Sequence, residues 1–291
     1  MVSGATRPRS RTRRPLRPTQ LAITFVTYLM LCIGLVIFLF PFYNMIIGSF
    51  KDTSEIMTSK LRLLPKVWKV ENLVELFRRV PFQRNLLNTL IVATISTALS
   101  LFLCSLGGFA FAKLQFPGRN ILLTIMLSTM MIPGQVTLVP LFIIMNRLNW
   151  LDTYYPLIIP GAANAFGIFL MRQYSTAIPD ELIDAARIDG CSTFRLFRSV
   201  AAPILKPALT VVGLIFFMGS WNDFLWPLIV LKSMDMYTVP VALSSLVGLG
   251  YVVPYGVILA GATISALPLA ILFLVFQRGF VSGILAGAVK G

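Results

Sequence analysis

The chain reads as an all-α integral membrane protein of six transmembrane helices, with its N and C termini cytoplasmic. Two observations predict it. Hydrophobic residues make up 57% of the 291 positions and charged residues only 12%, about half the share usual in soluble domains. Six apolar runs, each near the roughly 20 residues that cross a hydrocarbon core, fall at 21–48, 86–112, 119–145, 154–172, 208–231 and 256–276. Backbone groups inside lipid must be satisfied within their own segment, so each run is expected to be helical.

The first element is a basic tail, 1–20, carrying Arg7, Arg9, Arg11, Arg13, Arg14 and Arg17. It passes into 21–48 without a small-residue cleavage site, so that run reads as an anchor rather than a signal peptide. By the positive-inside rule, fifteen Lys and Arg lie on the side of the tail and ten on the other. Without the tail the counts are nine and ten, so the tail sets the orientation. It also suits attraction to anionic headgroups, at ~1 kcal/mol per residue. The net charge of +14 is spread over this tail and short loops, with no aromatic-interleaved basic surface. Nucleic-acid binding is therefore not expected.

An external loop, 49–85, follows. Leu73, Leu76, Phe77 and Val80 share one helical face in it, predicting a short amphipathic helix on the outer membrane surface or packed on a partner. In the remaining core, 86–276, Pro133-Gly134, Pro160-Gly161 and Pro268 predict kinks or breaks, as does Pro41 in the first run. Pro133 and Pro140 could divide 119–145. The fifth run holds Asp223, and a carboxylate at a helix centre costs ~2.5–3.5 kcal/mol on translocon scales. With Trp221, Asn222 and Trp226 it offers hydrogen bonds and aromatic faces suited to sugar hydroxyls and rings. A structural contact to a partner or an interfacial carboxylate is the other reading. The tail 277–291 places Gly279, Gly283, Gly287 and Gly291 every four residues, a spacing compatible with close helix packing.

Catalysis on this chain is not expected. There is no histidine, and Cys32, Cys104 and Cys191 lack metal-type spacing. No G-x-x-x-x-G-K-[ST] phosphate loop occurs, so neither ATP nor a metal is assigned here.

Between the fourth and fifth runs lies a polar island, 179–207, with the period of two short helices joined at Asp189-Gly190. Pro179 suits a helix start, and Asp180, Glu181 and Asp184 lie near the positive end of its dipole. Leu182, Ile183, Ala185, Ala186 and Ile188 supply an apolar, close-packing face. Gly190 stands where the reversal needs positive φ or a close backbone approach, and Ser192 or Thr193 can cap the second helix. That helix shows Phe194, Leu196, Phe197 and Val200, with Arg195 and Arg198 on its polar side and Pro203 at its end. Physics alone leaves two readings open: a loop folded on its own subunit, or a surface presented to a soluble partner.

The spacing Asp184-Ala185-Ala186, three residues, Gly190, nine residues, Val200, one residue, Ala202-Pro203 resembles the EAA loop of ABC importer permeases. That family pattern is Glu-Ala-Ala, then Gly, Ile and Leu-Pro at the same intervals. Asp184, Val200 and Ala202 are conservative departures. Ser220-Trp221-Asn222-Asp223-Phe224-Leu225-Trp226-Pro227 and the tail from Gln277-Arg278-Gly279 onward are similar to the maltose-type, second-permease branch of carbohydrate importers. So are the run from Met131-Ile132-Pro133 to Leu141-Phe142, and Leu148-Asn149-Trp150-Leu151-Asp152-Thr153.

The resemblance implies a type I ABC importer permease fold in the plasma (inner) membrane of a prokaryote. It implies pairing with a second permease, two ATP-hydrolysing subunits that bind ATP and Mg, and an external solute-binding protein that delivers a sugar. Glu181, Asp184, Ala185, Ala186, Asp189, Gly190, Phe194, Leu196, Phe197 and Pro203 would form the coupling helix region, with Leu196 and Phe197 filling a cleft on the ATPase. Gln277, Arg278, Gly283 and Gly287 would reach between the ATPase subunits. Trp221, Asn222, Asp223 and Trp226 are the pathway candidates. A non-sugar solute such as glycerol-3-phosphate, a secondary transporter and a membrane scaffold are the alternatives.

Overall fold

A computed structural model describes residues 18–58, 62–248 and 252–288. The arginines of the tail and Lys290 lie outside them. Among the described residues every regular element is helical.

The first helix, α1 (Pro18–Gly48), exposes its apolar side chains from Ile23 to Phe42 and meets the rest of the chain near its end. There Gly48 lets it approach the last helix: a Cβ at this position would stand 2.5 Å from Leu259 Cδ1. A short turn, α2 (Thr53–Ile56), is N-capped by Asp52, which also pairs with Lys69. Then comes α3 (Glu71–Arg79), the amphipathic helix expected in the outer loop. It does not simply lie on a membrane surface. Leu76 is buried in a core formed with Val80, Phe82, Val239, Leu246 and Val257, while Asn72 Nδ2 donates to Ser49 O (2.8 Å) and Lys51 O (2.9 Å). On its apolar face the chain itself buries Leu76 and Val80, covers Leu73 in part and leaves Phe77 exposed.

The central element is α4 (Phe82–Lys113), 32 residues with few ionisable groups. It is followed by α5 (Arg119–Thr129) and α6 (Gly134–Arg147), which meet at 98°. Pro133 sits at the break, where its ring and missing N–H prevent α5 from continuing. The run 154–172 is divided between α7 (Tyr155–Ile158) and α8 (Ala165–Thr176), and Asn164 Oδ1 caps α8 by accepting from Gly167 N at 2.7 Å. The island supplies α9 (Asp180–Ile188), α10 (Thr193–Leu196), a π turn (Phe197–Ala201) and α11 (Ala202–Ile204). The fifth run becomes α12 (Lys206–Trp221) and α13 (Leu225–Val230). A short α14 (Val239–Ser245) precedes α15 (Tyr255–Ala288), which passes Pro268 and crosses the expected boundary at 276 without interruption.

Among the described residues three helices are long and apolar enough to cross a membrane: Ile23–Gly48, Phe82–Lys113 and Tyr255–Gln277. Counting each bent pair as one span gives five, the second pair being Thr193–Ile204 with Lys206–Trp221 at 84°.

The helices are organised around the crossing of α4 and α8. A Cβ on Gly108 would lie 2.5 Å from Met171 Cβ and 2.6 Å from Arg172 N, so the two backbones touch at this position. One turn away, a Cβ on Gly167 would lie 2.7 Å from Cys104 Sγ. Small residues permit this approach, as is usual where lipid provides no hydrophobic drive between helices. Gly108→Val is expected to force the helices apart at a cost at the upper end of ~1–3 kcal/mol. The thermal midpoint of the purified protein should fall, while Gly34→Val, with nothing within 4 Å of the new Cβ, should leave it unchanged.

Candidate functional site: the 179–207 loop and the break at Asn222

The island begins at Pro179, and Asp180 and Glu181 occupy the first turn of α9. That helix has two faces. Ile183 and Ala186 are buried, whereas Glu181, Leu182, Asp184, Ala185 and Ile188 face outward. The chain then reverses in a Schellman arrangement: Cys191 N donates to Ala186 O (3.0 Å) and Gly190 N to Arg187 O (3.0 Å). This closure needs a left-handed residue after Asp189, and Gly190 supplies it at φ +76°. Of the two expected caps Ser192 takes the role, its Oγ accepting from Arg195 N at 3.4 Å.

The second helix departs from expectation. Its α register lasts only four residues and widens into the π turn just before Pro203, which has no N–H to continue an α ladder. Leu196 is 1% exposed and Phe197 8%. They pack into this chain's own core with Phe109, Met171, Ile178, Ala201 and Val212, the rings of Phe109 and Phe197 lying 5.5 Å apart. These two side chains therefore cannot fill a partner's cleft in this conformation, and Ala186 is turned inward with them. The most exposed large apolar groups of the island are Ile188, 87%, and Phe194, 55%, with Leu182 and Ile204 also outward. One face of the loop thus folds on its own subunit and the other is exposed.

Polar contacts fix the placement. Lys113, at the end of α4, donates through Nζ to Ile178 O (2.6 Å) and to Asp180 Oδ1 (2.6 Å). Its side chain is only 6% exposed, against 78% for Asp180. Arg187 donates to Asp184 Oδ1 (3.1 Å) and to Lys113 O (3.3 Å). Start and end of α9 are thereby tied to one helix terminus.

The break after α12 brings the four pathway candidates together in sequence but not in exposure. Trp221 is buried and stacks on Phe217, so its ring offers no face to a solute. Trp226 is half-buried, and its Nε1 donates to Pro156 O at 2.8 Å. Asn222 is exposed, with Nδ2 donating to Met218 O at 2.8 Å. Asp223 is half-buried at the start of α13, beside the backbone N–H groups of Trp226 and Phe224. Of the four, Asn222 alone is exposed.

At the opposite end of α4, buried amides organise the loops. Asn85 Nδ2 donates to Met234 O (2.7 Å), and Asn88 Nδ2 to Asp235 O (2.8 Å). Thr89 Oγ1 accepts from Val239 N (2.8 Å), and Asn88 Oδ1 accepts from Tyr154 OH (2.7 Å). Asp152, at φ +59°, accepts from Lys232 N (2.9 Å), Ser233 N (3.0 Å) and Ser233 Oγ (3.1 Å). Burial pushes its carboxyl up, but these bonds outweigh it and hold the group below its ordinary 3.8. Lys113 and the amides escaped sequence reasoning. An Asn pair at i, i+3 inside an apolar run is the signal that could have found the latter. Of the tail residues, Gln277 Nε2 donates to Leu274 O (3.0 Å). Arg278, Gly283 and Gly287 continue α15, and their side chains lie outside the described residues.

Residues 104–285, more than half of the chain, match the family model of the binding-protein-dependent transport system inner membrane component. The chain belongs to that family, whose members are ABC transporter permeases. It is similar to the arabinooligosaccharides transport system permease protein AraQ of Bacillus subtilis (strain 168), with 38% identity over 88% of this chain and 92% of that one. It is also similar to the lactose transport system permease protein LacG of Rhizobium radiobacter, with 35% identity over 91% and 96%. Among solved structures, a chain of a bacterial ABC transporter involved in alginate import shares the fold, with TM-score 0.79, 24% identity and coverage of 92% and 100%.

Two outcomes are expected. Lys113→Ala should release α9, seen as faster amide exchange across 179–205, whereas Asp180→Asn should change it little because an exposed pair is worth ~1 kcal/mol or less and the bond to Ile178 O remains. For Asp152, a depressed carboxyl stabilises the fold above its ordinary value and loses that contribution as pH falls through the folded value. Protection of the 230–238 backbone, as exchange corrected for its intrinsic pH dependence, should stay flat from neutral pH down to 3.8 and fall only below it; in Asp152→Asn the acid step should vanish.

Proposed function

We propose that this chain is one of two permease subunits of an ATP-driven, binding-protein-dependent importer of a carbohydrate, a di- or oligosaccharide or a sugar derivative. It forms half of the translocation pathway and crosses the membrane six times, the fourth crossing being assembled from α7 and α8. Both termini face the cytoplasm. ATP and Mg belong to two separate ATPase subunits, and an external solute-binding protein delivers the sugar. The chain itself is non-catalytic.

The observation that carries this reading is the two-faced island. Its inner face is buried in the subunit and its outer face holds Ile188 and Phe194 free beside Asp184, Asp189 and Gly190. Two exposed apolar side chains on a polar turn are what a separate protein can grip. Glu181, Ala185 and Pro203 complete that surface, and Gln277, Arg278, Gly283 and Gly287 form a second, C-terminal contact with the ATPase. Asn222 and Asp223 face the pathway. A sugar is favoured over glycerol-3-phosphate because the arabinooligosaccharide and lactose permeases are 38% and 35% identical to this chain, against 30% for the sn-glycerol-3-phosphate transport system permease protein UgpE of Escherichia coli.

Purification from native membranes in mild detergent should recover an ATPase, a second permease and a solute-binding protein. Recovery of this chain alone, from a preparation that preserves other complexes, would overturn the reading. Gly190→Val forces a β-branched residue into positive φ at the tip of the surface. It should leave assembly intact while uncoupling ATP hydrolysis from uptake. Gly190→Asn, which tolerates this backbone, should retain more coupling; normal sugar-stimulated hydrolysis in Gly190→Val would refute the role of the turn.

A further inference from the structure

Outside the loop and the break, an apolar crevice of about 450 Å³ lies between α4, α12 and α15. Leu101, Leu209, Phe217, Leu272 and Phe276 line it, and Lys206 is the charged residue on its wall. Neighbouring side chains on the same helices, Met218, Ile271 and Val275 among them, are exposed, so the rim continues into surface that suits lipid. Lys206 opens α12 directly after the 84° bend. It therefore stands where the apolar helix meets the polar island. Among the described residues no ion pair or side-chain hydrogen bond engages its ammonium.

From this geometry we infer that the crevice is a binding site for an anionic phospholipid, with the phosphate on Lys206 and one acyl chain between α12 and α15. Charge complementarity selects the occupant. An apolar slot needs hydrocarbon, and an unpaired cation at its polar end needs an anion covalently joined to that hydrocarbon. Basic pockets between membrane helices at the cytoplasmic level bind anionic headgroups for the same reason. A helix of another protein would satisfy the slot while leaving the ammonium without a counter-charge unless it brought a carboxylate at that level. The site would couple lipid to transport through position alone, since α12 connects the island before Lys206 to the break at Asn222. Lipid binding here is independent of which solute is carried.

The test uses the intact importer complex, exchanged into nanodiscs containing phosphatidylglycerol with phosphatidylcholine, then returned to detergent and analysed for retained lipid by native mass spectrometry. Wild type should retain phosphatidylglycerol in preference to phosphatidylcholine. Lys206→Gln should lower that retention about fivefold, the equivalent of ~1 kcal/mol per surface cation, without altering phosphatidylcholine. The exposed Lys206 makes no fold-bearing contact, so assembly should be unaffected. In a second arm, benzoylphenylalanine replaces Phe276 and is photoactivated in membranes. A lipid adduct supports the site. Equal retention in Lys206→Gln, no preference between the two lipids, or a crosslink to the second permease or to nothing would overturn it.

Discussion

The contact on which this molecule depends is the crossing of α4 and α8 at Gly108 and Gly167. A membrane helix gains nothing from leaving water, because its surroundings are already apolar, so helices hold together by close van der Waals approach. Hydrogen at Cα rather than a methyl group lets Met171 and the backbone of Arg172 lie directly on α4. The consequence extends beyond the crossing. Phe109 and Met171, brought together there, form the floor on which Leu196, Phe197 and Ile183 settle. The 179–207 loop is thus built onto the crossing, and its outward face is defined by what the crossing has buried.

Charge performs a different task at each end of α4. At one end Lys113 is withdrawn from solvent yet satisfied by a carbonyl and a carboxylate, so the helix terminus becomes an anchor for α9. At the other end the charges stay outside, in an exposed Arg84–Asp235 pair at 3.9 Å, and buried amides hold the loops. Asn85, Asn88 and Thr89 satisfy the carbonyl and N–H groups of the 234–239 backbone, which would otherwise be buried unpaired at a cost of ~1–3 kcal/mol each. A single continuous helix therefore joins the loops on its two sides.

The large exposed apolar surface of α1, α5 and α6 belongs with this arrangement. Ile23 through Phe42, and Met131, Val136 and Val139 near the 98° bend, stay largely uncovered by the rest of the chain. In a water-soluble protein such surface would be a liability. In a membrane permease it is area left for the bilayer and, on the proposed reading, for a second permease.

Much of this was legible in the residues. Hydropathy located α1, α4 and the apolar part of α15, because a continuous apolar run in lipid has no alternative to helix. Pro133 and Asp189-Gly190 marked real breaks, since a missing N–H or a left-handed backbone acts locally, whereas the helix runs through Pro203 to the bend before Lys206. The motif spacing identified the family, since it counts positions along one chain. What only the tertiary structure decided was facing. Leu196 and Phe197 lie in a segment that can present either side, and their burial against Phe109 depends on a helix nearly ninety positions away. Trp221 was chosen for an aromatic face that packing on Phe217 has hidden, and Leu76, expected on a membrane surface or a partner, is buried in the chain's own core. Periodicity says that a helix has two sides. Which side is covered depends on what else arrives, and at Gly108 a single absent methyl group determines how closely it can.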